Sequence, residues 1–526
     1  MKIERTKNAV RNITYGVILK LYQMILPFFM RTVMIYVMGV QYLGLNSLFT
    51  SILQVLNLAE LGVGSAMVYS MYRPIAEDDD ITICALMKLY RSYYRIIGLI
   101  IAVIGGIVTP WIPNLISGTV PDDVNIYVLY LLNLGATVLS YWLFAYKNSV
   151  LQAHQRIDLV SKVTLLTNTI QYGVQVIVLW LTRNYYLYVL IAMFTQVLSN
   201  IVTAIVADKL YPKYKAHGKL QKEEVVEINC KIRDLFTAKL GAVVVNSSDT
   251  IVISAFLGLT VLAVYQNYYF ILTAIIGIVT IIFSSCTAGI GNSLIVETKD
   301  KNFNDLIKFT FLVSWIAGIC SSCFLGIYQP FMMVWVGKEY LLPFSAVICL
   351  VIYYYIYEIN QLLNLYKDAG GIWHEDRFRP LVTAIVNLGL NLIMVQRWEI
   401  YGVLLSTVLS MLFVGMPWLF HNLFSTIFER KYLKWYIIRL LKYTIVNVFS
   451  CILVVIICHY IEFGLITTIL LRLVVCMLVP FVIYLVFWRH SEEFRQCILL
   501  VDNMTKGKLK LHKIIKSKND IKKGKK

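Results

Sequence analysis

Charged residues are scarce in this chain of 526 residues. Asp, Glu, Lys and Arg make up 15% of it, whereas hydrophobic residues make up 59%, and the mean hydropathy is +0.69. Soluble domains use about 25% charged residues, because their surfaces must be covered with groups that water solvates. The composition therefore excludes an ordinary soluble protein and predicts an integral membrane protein.

Signatures of catalysis and of cofactor binding are missing as well. The seven histidines show no HExxH spacing, and no GxxxxGK[ST] loop is present to bind ATP. The ten cysteines are scattered, and the one CxxC pair, Cys320 and Cys323, falls in an apolar run without a second ligand pair. We therefore expect no catalytic residues, no metal site and no cofactor, and the protein is not predicted to be an enzyme.

Long apolar runs, in contrast, follow one another along the whole chain. Lipid offers the backbone no hydrogen bonds, so a crossing requires a helix of about 20 mostly apolar residues. The sequence predicts fourteen such spans, at roughly 13–38, 43–69, 95–112, 124–146, 161–182, 185–207, 238–257, 261–288, 307–327, 342–363, 380–396, 400–420, 437–459 and 464–488. The shortest, span 11 at 380–396, also contains two asparagines.

The basic residues give an independent test of these spans. Of the 48 Lys and Arg residues, 42 fall at the termini and in the even-numbered loops. The odd-numbered loops hold only Arg183, Lys338 and Arg397, and three more lie within spans. Because cytoplasmic loops are rich in Lys and Arg, this asymmetry predicts that both termini are cytoplasmic. The net charge of +18 then reflects orientation and attraction to inner-leaflet lipids, and no nucleic-acid partner is expected.

An internal repeat divides the predicted spans. The run Arg31-Thr-Val-Met-Ile, followed by Gly39, is matched by Asp249-Thr-Ile-Val-Ile, followed by Gly258, at an offset of 218 to 219 residues. Weak repeats of this length are typical of transporters built from two halves. We predict a six-helix lobe over 1–210, a cytoplasmic amphipathic linker over 211–237 and a second six-helix lobe over 238–425. An amphipathic elbow with accessory helices 13 and 14 follows over 426–490, and a basic cytoplasmic tail over 491–526.

Ionisable side chains within spans are the candidate site residues, because each costs about 2.5–3.5 kcal/mol at the bilayer centre. Arg31 and Lys20 are predicted to share one face of span 1. The predicted substrate-binding residues are Arg31, Lys20, Lys239 and Asn246, and the predicted coupling or gating residues are Asp249, Glu60 and Glu358. A structural ion pair between Arg31 and Asp249 remains an equal alternative, and Lys20 and Lys239 are also placed to extend toward the headgroups.

Several stretches resemble polysaccharide flippases of the Wzx-like, O-antigen type within the MOP exporter superfamily. They are YLGLNSLF from Tyr42, LQVLNLAELGVG over Leu53–Gly64, the segment Ser65–Glu77 and the run that begins at Asp249. The resemblance implies a MATE-like fold of two pseudo-symmetric six-helix lobes around a cationic cavity, with two accessory C-terminal helices. It further implies that the protein flips an undecaprenyl-diphosphate-linked oligosaccharide from the inner to the outer leaflet of the bacterial cytoplasmic membrane. Alternating access coupled to a proton or a sodium ion is the implied mechanism.

Two other functions are also compatible with the sequence. A MATE-like exporter of small organic cations would favour an acidic, aromatic cavity, whereas the deep charges here include prominent basic ones. A membrane polysaccharide polymerase or glycosyltransferase would need a large outer loop to build a catalytic site, and the odd-numbered loops are short. Membrane lipids and the lipid-linked oligosaccharide are the expected partners, and a polymerase and glycosyltransferases are further partners that the resemblance implies.

Overall fold

The computed structural model describes the backbone of residues 5–504. The side chains of 5–10, 13, 234, 237–239, 242, 246, 282, 284, 285, 288 and 499–504 are outside this description. Within the described part, α-helices and short 3-10 or π-helical turns are the secondary structure, and no strand occurs. The predicted all-α fold is therefore confirmed.

Seventeen α-helices follow one another through the described residues. They are α1 Arg5–Val37, α2 Val40–Leu56, α3 Val63–Ala76, α4 Asp80–Val108, α5 Ile126–Trp142, α6 Asn148–Ala153, α7 Ile157–Thr182, α8 Tyr185–Leu210, α9 Lys222–Leu257, α10 Leu259–Val296, α11 Lys299–Trp335, α12 Phe344–Ala369, α13 Arg379–Ser410, α14 Met416–Thr426, α15 Lys431–His459, α16 Leu465–Trp488 and α17 Glu492–Met504.

Many of these helices are long and apolar enough to cross a membrane. The described residues contain eleven such segments, or twelve when α5 and α6, which are bent by 47°, count as one. A multi-pass membrane protein is confirmed, but the count of fourteen is not. Predicted spans 11 and 12 together make up the segment Arg379–Thr426, in which non-helical backbone at Glu399 separates two helices at the predicted boundary. Predicted span 7 lies in α9, whose apolar part, Val243–Leu257, is short for a crossing.

Two glycines at equivalent places in the repeat end long helices in the same way. Gly39 follows α1 with φ 111°, and Gly258 follows α9 with φ 88°. Each amide donates a hydrogen bond of 3.1 Å to the carbonyl five residues earlier, on Met34 and Ile253 respectively. A glycine is needed there because a side chain rarely tolerates positive φ. This shared local geometry supports the internal repeat.

The predicted amphipathic linker is not a separate element. Its acidic segment is helical, but it forms the beginning of α9, which continues without interruption to Leu257. A capping box between Gln221 and Glu224 starts this helix, since each side chain satisfies a backbone amide that the helix leaves unpaired.

The predicted elbow and tail also differ from the structure. The elbow sequence forms the first turns of α15, which runs from Lys431 to His459 as one helix. The predicted tail begins with a packed helix, because α17 buries Phe494, Cys497 and Ile498 in an aromatic cluster. The part of the tail from residue 505 onward lies outside the described residues.

Contacts within the chain group residues into two units. The first comprises Met1–Gln266 with Pro380–Val403, and the second comprises Asn267–Arg379 with Leu404–Lys526. These divisions do not coincide with the predicted domain boundaries. In the first unit, Gly241 lets α9 approach the backbone of α13 so closely that a Cβ would lie 2.3 Å from the carbonyl carbon of Pro380.

The second unit is organised around α11. This helix packs against α12 and against both accessory helices, α15 and α16. Phe311 of α11 makes edge-to-face contacts with Tyr443 and Tyr484 at 5.4 and 5.5 Å between ring centroids. Trp315 stacks on Tyr484 at 5.5 Å. Such aromatic pairs contribute about 0.5–1.5 kcal/mol each beyond the area they bury.

Candidate substrate and ion-coupling sites

Arg31 lies in the last third of α1, within the first unit, and its side chain is half-buried. Arg31 interacts electrostatically with Tyr188, which belongs to α8. The Tyr188 ring stacks on Tyr185 at 5.7 Å, and Tyr185 meets Tyr42 edge-on at 5.2 Å. The Tyr42 hydroxyl in turn donates to the carboxylate of Asp123. A series of tyrosine rings therefore leads from the Arg31 side toward a carboxylate in the loop before α5.

The other predicted substrate-binding residues lie on α1 and α9. Lys20 is on the same helix as Arg31, and its side chain is exposed. Lys239 and Asn246 belong to the helical backbone of α9, but their side chains are outside the described part. The ion pair between Arg31 and Asp249 stays a prediction.

Asp249 belongs to a polar group that we call the Asp249 cluster, formed with Ser248, Asn387 and Asn391. Asn391 donates a hydrogen bond of 2.6 Å from its Nδ2 to Oδ1 of Asp249. Ser248 donates to Oδ1 of Asn387 at 3.2 Å, and Asn387 and Asn391 are both fully buried. Two helices, α9 and the first half of α13, supply these residues to the first unit.

The composition of the Asp249 cluster fits a small cation. The Asp249 carboxylate, the Asn387 amide oxygen and the Ser248 hydroxyl are hard oxygen donors, which is the ligand type that alkali and alkaline-earth cations prefer. A carboxylate can equally take up a proton. Hydrogen-bonded polar side chains of α9 extend beyond the cluster, since Ser247 donates to Gln54 at 3.3 Å and Thr250 accepts from Gln266 at 2.9 Å.

Glu60 lies where the predicted second span is broken. Helix α2 ends at Leu56, a 3-10 turn covers Asn57–Glu60, and Gly62 with φ 90° precedes α3. Interrupted helices within membranes leave backbone groups that need partners, and they commonly mark functional sites.

Two tyrosines hydrogen-bond to the Glu60 carboxylate, and a third hydrogen-bonds to one of them. Tyr94 donates to Oε1 of Glu60 at 3.0 Å, and Tyr141 donates to Oε2 at 3.4 Å. Tyr90 donates to the Tyr94 hydroxyl at 2.5 Å, which extends the chain of hydrogen bonds along α4. The arrangement holds the carboxylate in one position and is suited to passing a proton between hydroxyl groups.

Glu358 is the one predicted coupling residue that lies in the second unit. It is on α12, with 1% of its surface exposed, and it lines a cavity of about 310 Å³. Phe283, Leu312 and Ile316 are among the apolar side chains around it.

The structure adds residues that the sequence interpretation missed. Asn387 and Asn391 were visible only as polar residues that weakened a short predicted span, yet they supply partners for Asp249 and Ser248. The spacing of Tyr90 and Tyr94 places both on one helix face, but nothing local connected them to Glu60, which is 34 residues from Tyr94.

Comparisons with known proteins agree with this architecture. Residues 9–287 match a family described as "Polysaccharide biosynthesis protein". The structure is similar to the lipid II flippase MurJ in an inward closed conformation, with a TM-score of 0.66, 15% identity, and coverage of 91% of this chain and 99% of that one. It is also similar to an inward-facing multidrug resistance MATE family transporter of the MOP superfamily. The TM-score is 0.59 at 14% identity, and the match covers 79% of this chain and 98% of that one. No curated protein matches the chain. At these identities, the two structural matches show a shared fold.

Proposed function

The chain belongs to the family of polysaccharide biosynthesis proteins, and from this premise we propose that it is a flippase for a lipid-linked oligosaccharide. The cargo is an O-antigen, capsule or exopolysaccharide repeat unit on undecaprenyl diphosphate. The protein moves it from the inner to the outer leaflet of the bacterial cytoplasmic membrane. The fold shared with MurJ, which carries the name of a lipid II flippase, supports a transported lipid of this chemistry.

The observation that carries this proposal is the guanidinium of Arg31 within a membrane-spanning helix. A diphosphate is the most strongly charged part of the cargo, and guanidinium binds phosphate oxygens through two parallel hydrogen bonds. The half-buried position of Arg31 keeps the donor groups in a setting where hydrogen bonds to charged groups are strong.

Coupling to an ion gradient is assigned to the Asp249 cluster. A cation or a proton bound there neutralises the carboxylate, and its release restores the charge. Because a ligand shifts a conformational equilibrium only by its different affinity for two states, this change of charge can drive alternating access. No cofactor is required, and both termini are proposed to be cytoplasmic, with the pathway's glycosyltransferases and polymerase as neighbours in the membrane.

Reconstitution would test the proposed function directly. Purified protein in liposomes should move an undecaprenyl-diphosphate oligosaccharide between leaflets, which is read out as accessibility to an impermeant glycosidase, whereas empty liposomes should not. A sodium or pH gradient should accelerate the movement, and Asp249→Asn should abolish that acceleration while slow exchange remains. Absence of any movement by well-folded protein would refute the flippase.

A MATE-like exporter of organic cations is the second candidate, favoured by the similarity to the MATE fold. The same liposomes distinguish the two functions. Gradient-driven uptake of a fluorescent organic cation, without movement of the lipid-linked oligosaccharide, would establish the exporter.

A further inference from the structure

The carboxyl group of Glu358 has an unusual environment for an ionisable side chain. It is 1% exposed on α12, and its Oε1 has no hydrogen-bond partner among the residues that the structure describes. The cavity of about 310 Å³ beside it is lined almost entirely by carbon. No Lys, Arg or His is among the described side chains that line this cavity.

The other titratable groups near Glu358 do not carry a compensating charge. Tyr354 lies one turn earlier on α12, Cys320 faces from α11, and Cys286 of α10 lines the cavity. A neighbouring cavity that also contacts Cys286 holds Lys308, but this amine is paired with Asp305 at 2.5 Å.

An ionised carboxylate in this position would be buried without a counter-ion and with an unsatisfied oxygen. Burial of an unpaired charge costs far more than neutralising it, so such groups bind a proton instead. We infer that Glu358 is a proton-binding site of the second unit and is a neutral carboxylic acid in this state of the protein. The site is distinct from the Asp249 cluster, which lies on other helices and satisfies its carboxylate with an amide.

The proton can leave only when the carboxyl group gains water or a cation. A movement of α12 relative to α10 or α11 that opens the cavity would provide this, so proton release reports the conformational state of the second unit. The link to transport rests on the proposed function, whereas the protonation of Glu358 does not.

Labelling with dicyclohexylcarbodiimide tests the protonation. This apolar reagent reacts with protonated carboxyl groups: the acid proton moves to a carbodiimide nitrogen, the carboxyl oxygen bonds to the central carbon, and the adduct rearranges to a stable N-acylurea. We expect native protein in membranes at neutral pH to carry the label on the peptide that contains Glu358, as identified by mass spectrometry. Glu358→Gln should remove that label, whereas Glu60→Gln should retain it.

Further labelling experiments distinguish a buried carboxyl group from one that is merely reactive. A water-soluble carbodiimide should not label Glu358 in the folded protein. Labelling of Glu358 only at acidic pH, equal labelling by the water-soluble reagent, or no labelling of folded protein would each overturn the inference. Glu358→Gln is a neutral replacement of nearly equal size, so it should reach the membrane at the native level.

The functional arm uses the liposome assay. If wild-type protein flips the lipid, Glu358→Gln should lose the dependence of flipping on a pH gradient while keeping gradient-independent exchange. Unchanged pH dependence would overturn the link between proton release from Glu358 and transport. Failure of the wild-type protein to flip the lipid would refute the proposed function and leave the labelling result intact.

Discussion

Arg31 and Asp249 occupy matching places in the predicted repeat and carry opposite charges. The guanidinium interacts electrostatically with Tyr188 of α8, and the carboxylate accepts a hydrogen bond from an amide of α13. This difference suits a protein in which one position binds an anionic headgroup and the other binds a cation.

Replacement of Arg31 tests the first of these roles. Arg31→Ala should stop export while the protein remains in the membrane, because it removes charged hydrogen bonds of about 1.5–3 kcal/mol, or roughly ten- to hundredfold in affinity. Arg31→Lys should rescue export in part, since an ammonium attracts phosphate without the paired hydrogen bonds. The measurement is accumulation of lipid-linked oligosaccharide on the inner leaflet, normalised to the membrane level of each variant.

The alternative role of Arg31 predicts a different outcome. If it is the ion-pair partner of Asp249, Arg31→Ala should lower stability by leaving a buried carboxylate without its counter-ion, and Asp249→Asn should relieve that defect. Normal export by a well-expressed Arg31→Ala protein would contradict both roles.

For individual residues, the sequence identified the charged side chains within the spans but not their hydrogen-bond partners. The presence of a carboxylate or a guanidinium within an apolar run is a local property that can be read directly from the sequence. Partners such as Asn391, which is 142 residues from Asp249, depend on the packing of distant helices. Only the presence of polar residues in the weak span 11 indicated them.

Among the helices, the break after α2 depends on Gly62. Its φ of 90° is unfavourable for any side chain, and a Cβ there would lie 2.8 Å from Cβ of Leu235 and 2.9 Å from the carbonyl oxygen of Ile232. Gly62→Ala should therefore lower the free energy of unfolding by about 1–3 kcal/mol and displace Glu60 from its tyrosines. Thermal unfolding in detergent would measure the loss.

Gly173 provides the matched control for this substitution. It lies in α7, and a Cβ there would meet nothing within 4 Å. Gly173→Ala should be neutral or raise stability by about 0.5–1 kcal/mol, because alanine loses less backbone entropy in a helix. Equal effects of the two substitutions on stability would show that the backbone at position 62 does not require glycine.

The loop between α8 and α9 is attached to the end of α6 by His154. The imidazole is buried against Tyr211 at 4.2 Å between ring centroids, and its Nδ1 lies 2.9 Å from the carbonyl oxygen of Val150. Burial lowers the pKa of His154 below its ordinary value of about 6.5. The contribution of the neutral ring to stability is therefore complete above pH 6.5 and is lost as the pH falls toward the lower pKa of the folded state.

Limited trypsin digestion would detect this loosening. Cleavage after Lys213 or Lys215 should become faster as the pH is lowered from 7 to 5, after correction for the activity of trypsin itself. His154→Phe should flatten that pH dependence, while replacement of the exposed His217 by Phe should leave it unchanged. A pH dependence that survives in His154→Phe would assign the effect to another group.

For the whole molecule, hydropathy predicted the fold class because the need to satisfy backbone hydrogen bonds in lipid applies to each segment separately. The division into contact units could not be predicted in this way. It depends on close approaches such as those of Gly44 to Leu259 and of Gly241 to Pro380, which join segments that are more than a hundred residues apart. The same limitation explains why the linker and the elbow were predicted as separate elements, since polarity along a helix does not reveal whether the helix continues.

The orientation in the membrane follows from the distribution of charge over all the loops. Because 42 of the 48 basic residues fall on one side of the predicted topology, placing that side outside would conflict with the charge bias of nearly every loop. The native Cys230 on α9 is exposed and is predicted to be cytoplasmic. Asp122, which is exposed in the loop before α5, is predicted to face outward.

Cysteine labelling with an impermeant maleimide tests this orientation. In intact cells, Asp122→Cys in a Cys230→Ser background should be labelled, whereas the native protein should be labelled at Cys230 only after the membrane is permeabilised. The other cysteines between residues 5 and 504 are buried or half-buried, and the Cys230→Ser protein alone measures their background. Labelling of Cys230 in intact cells, without labelling at position 122, would reverse the orientation. The basic surface would then face outward, and the proposed direction of lipid transport would lose its support.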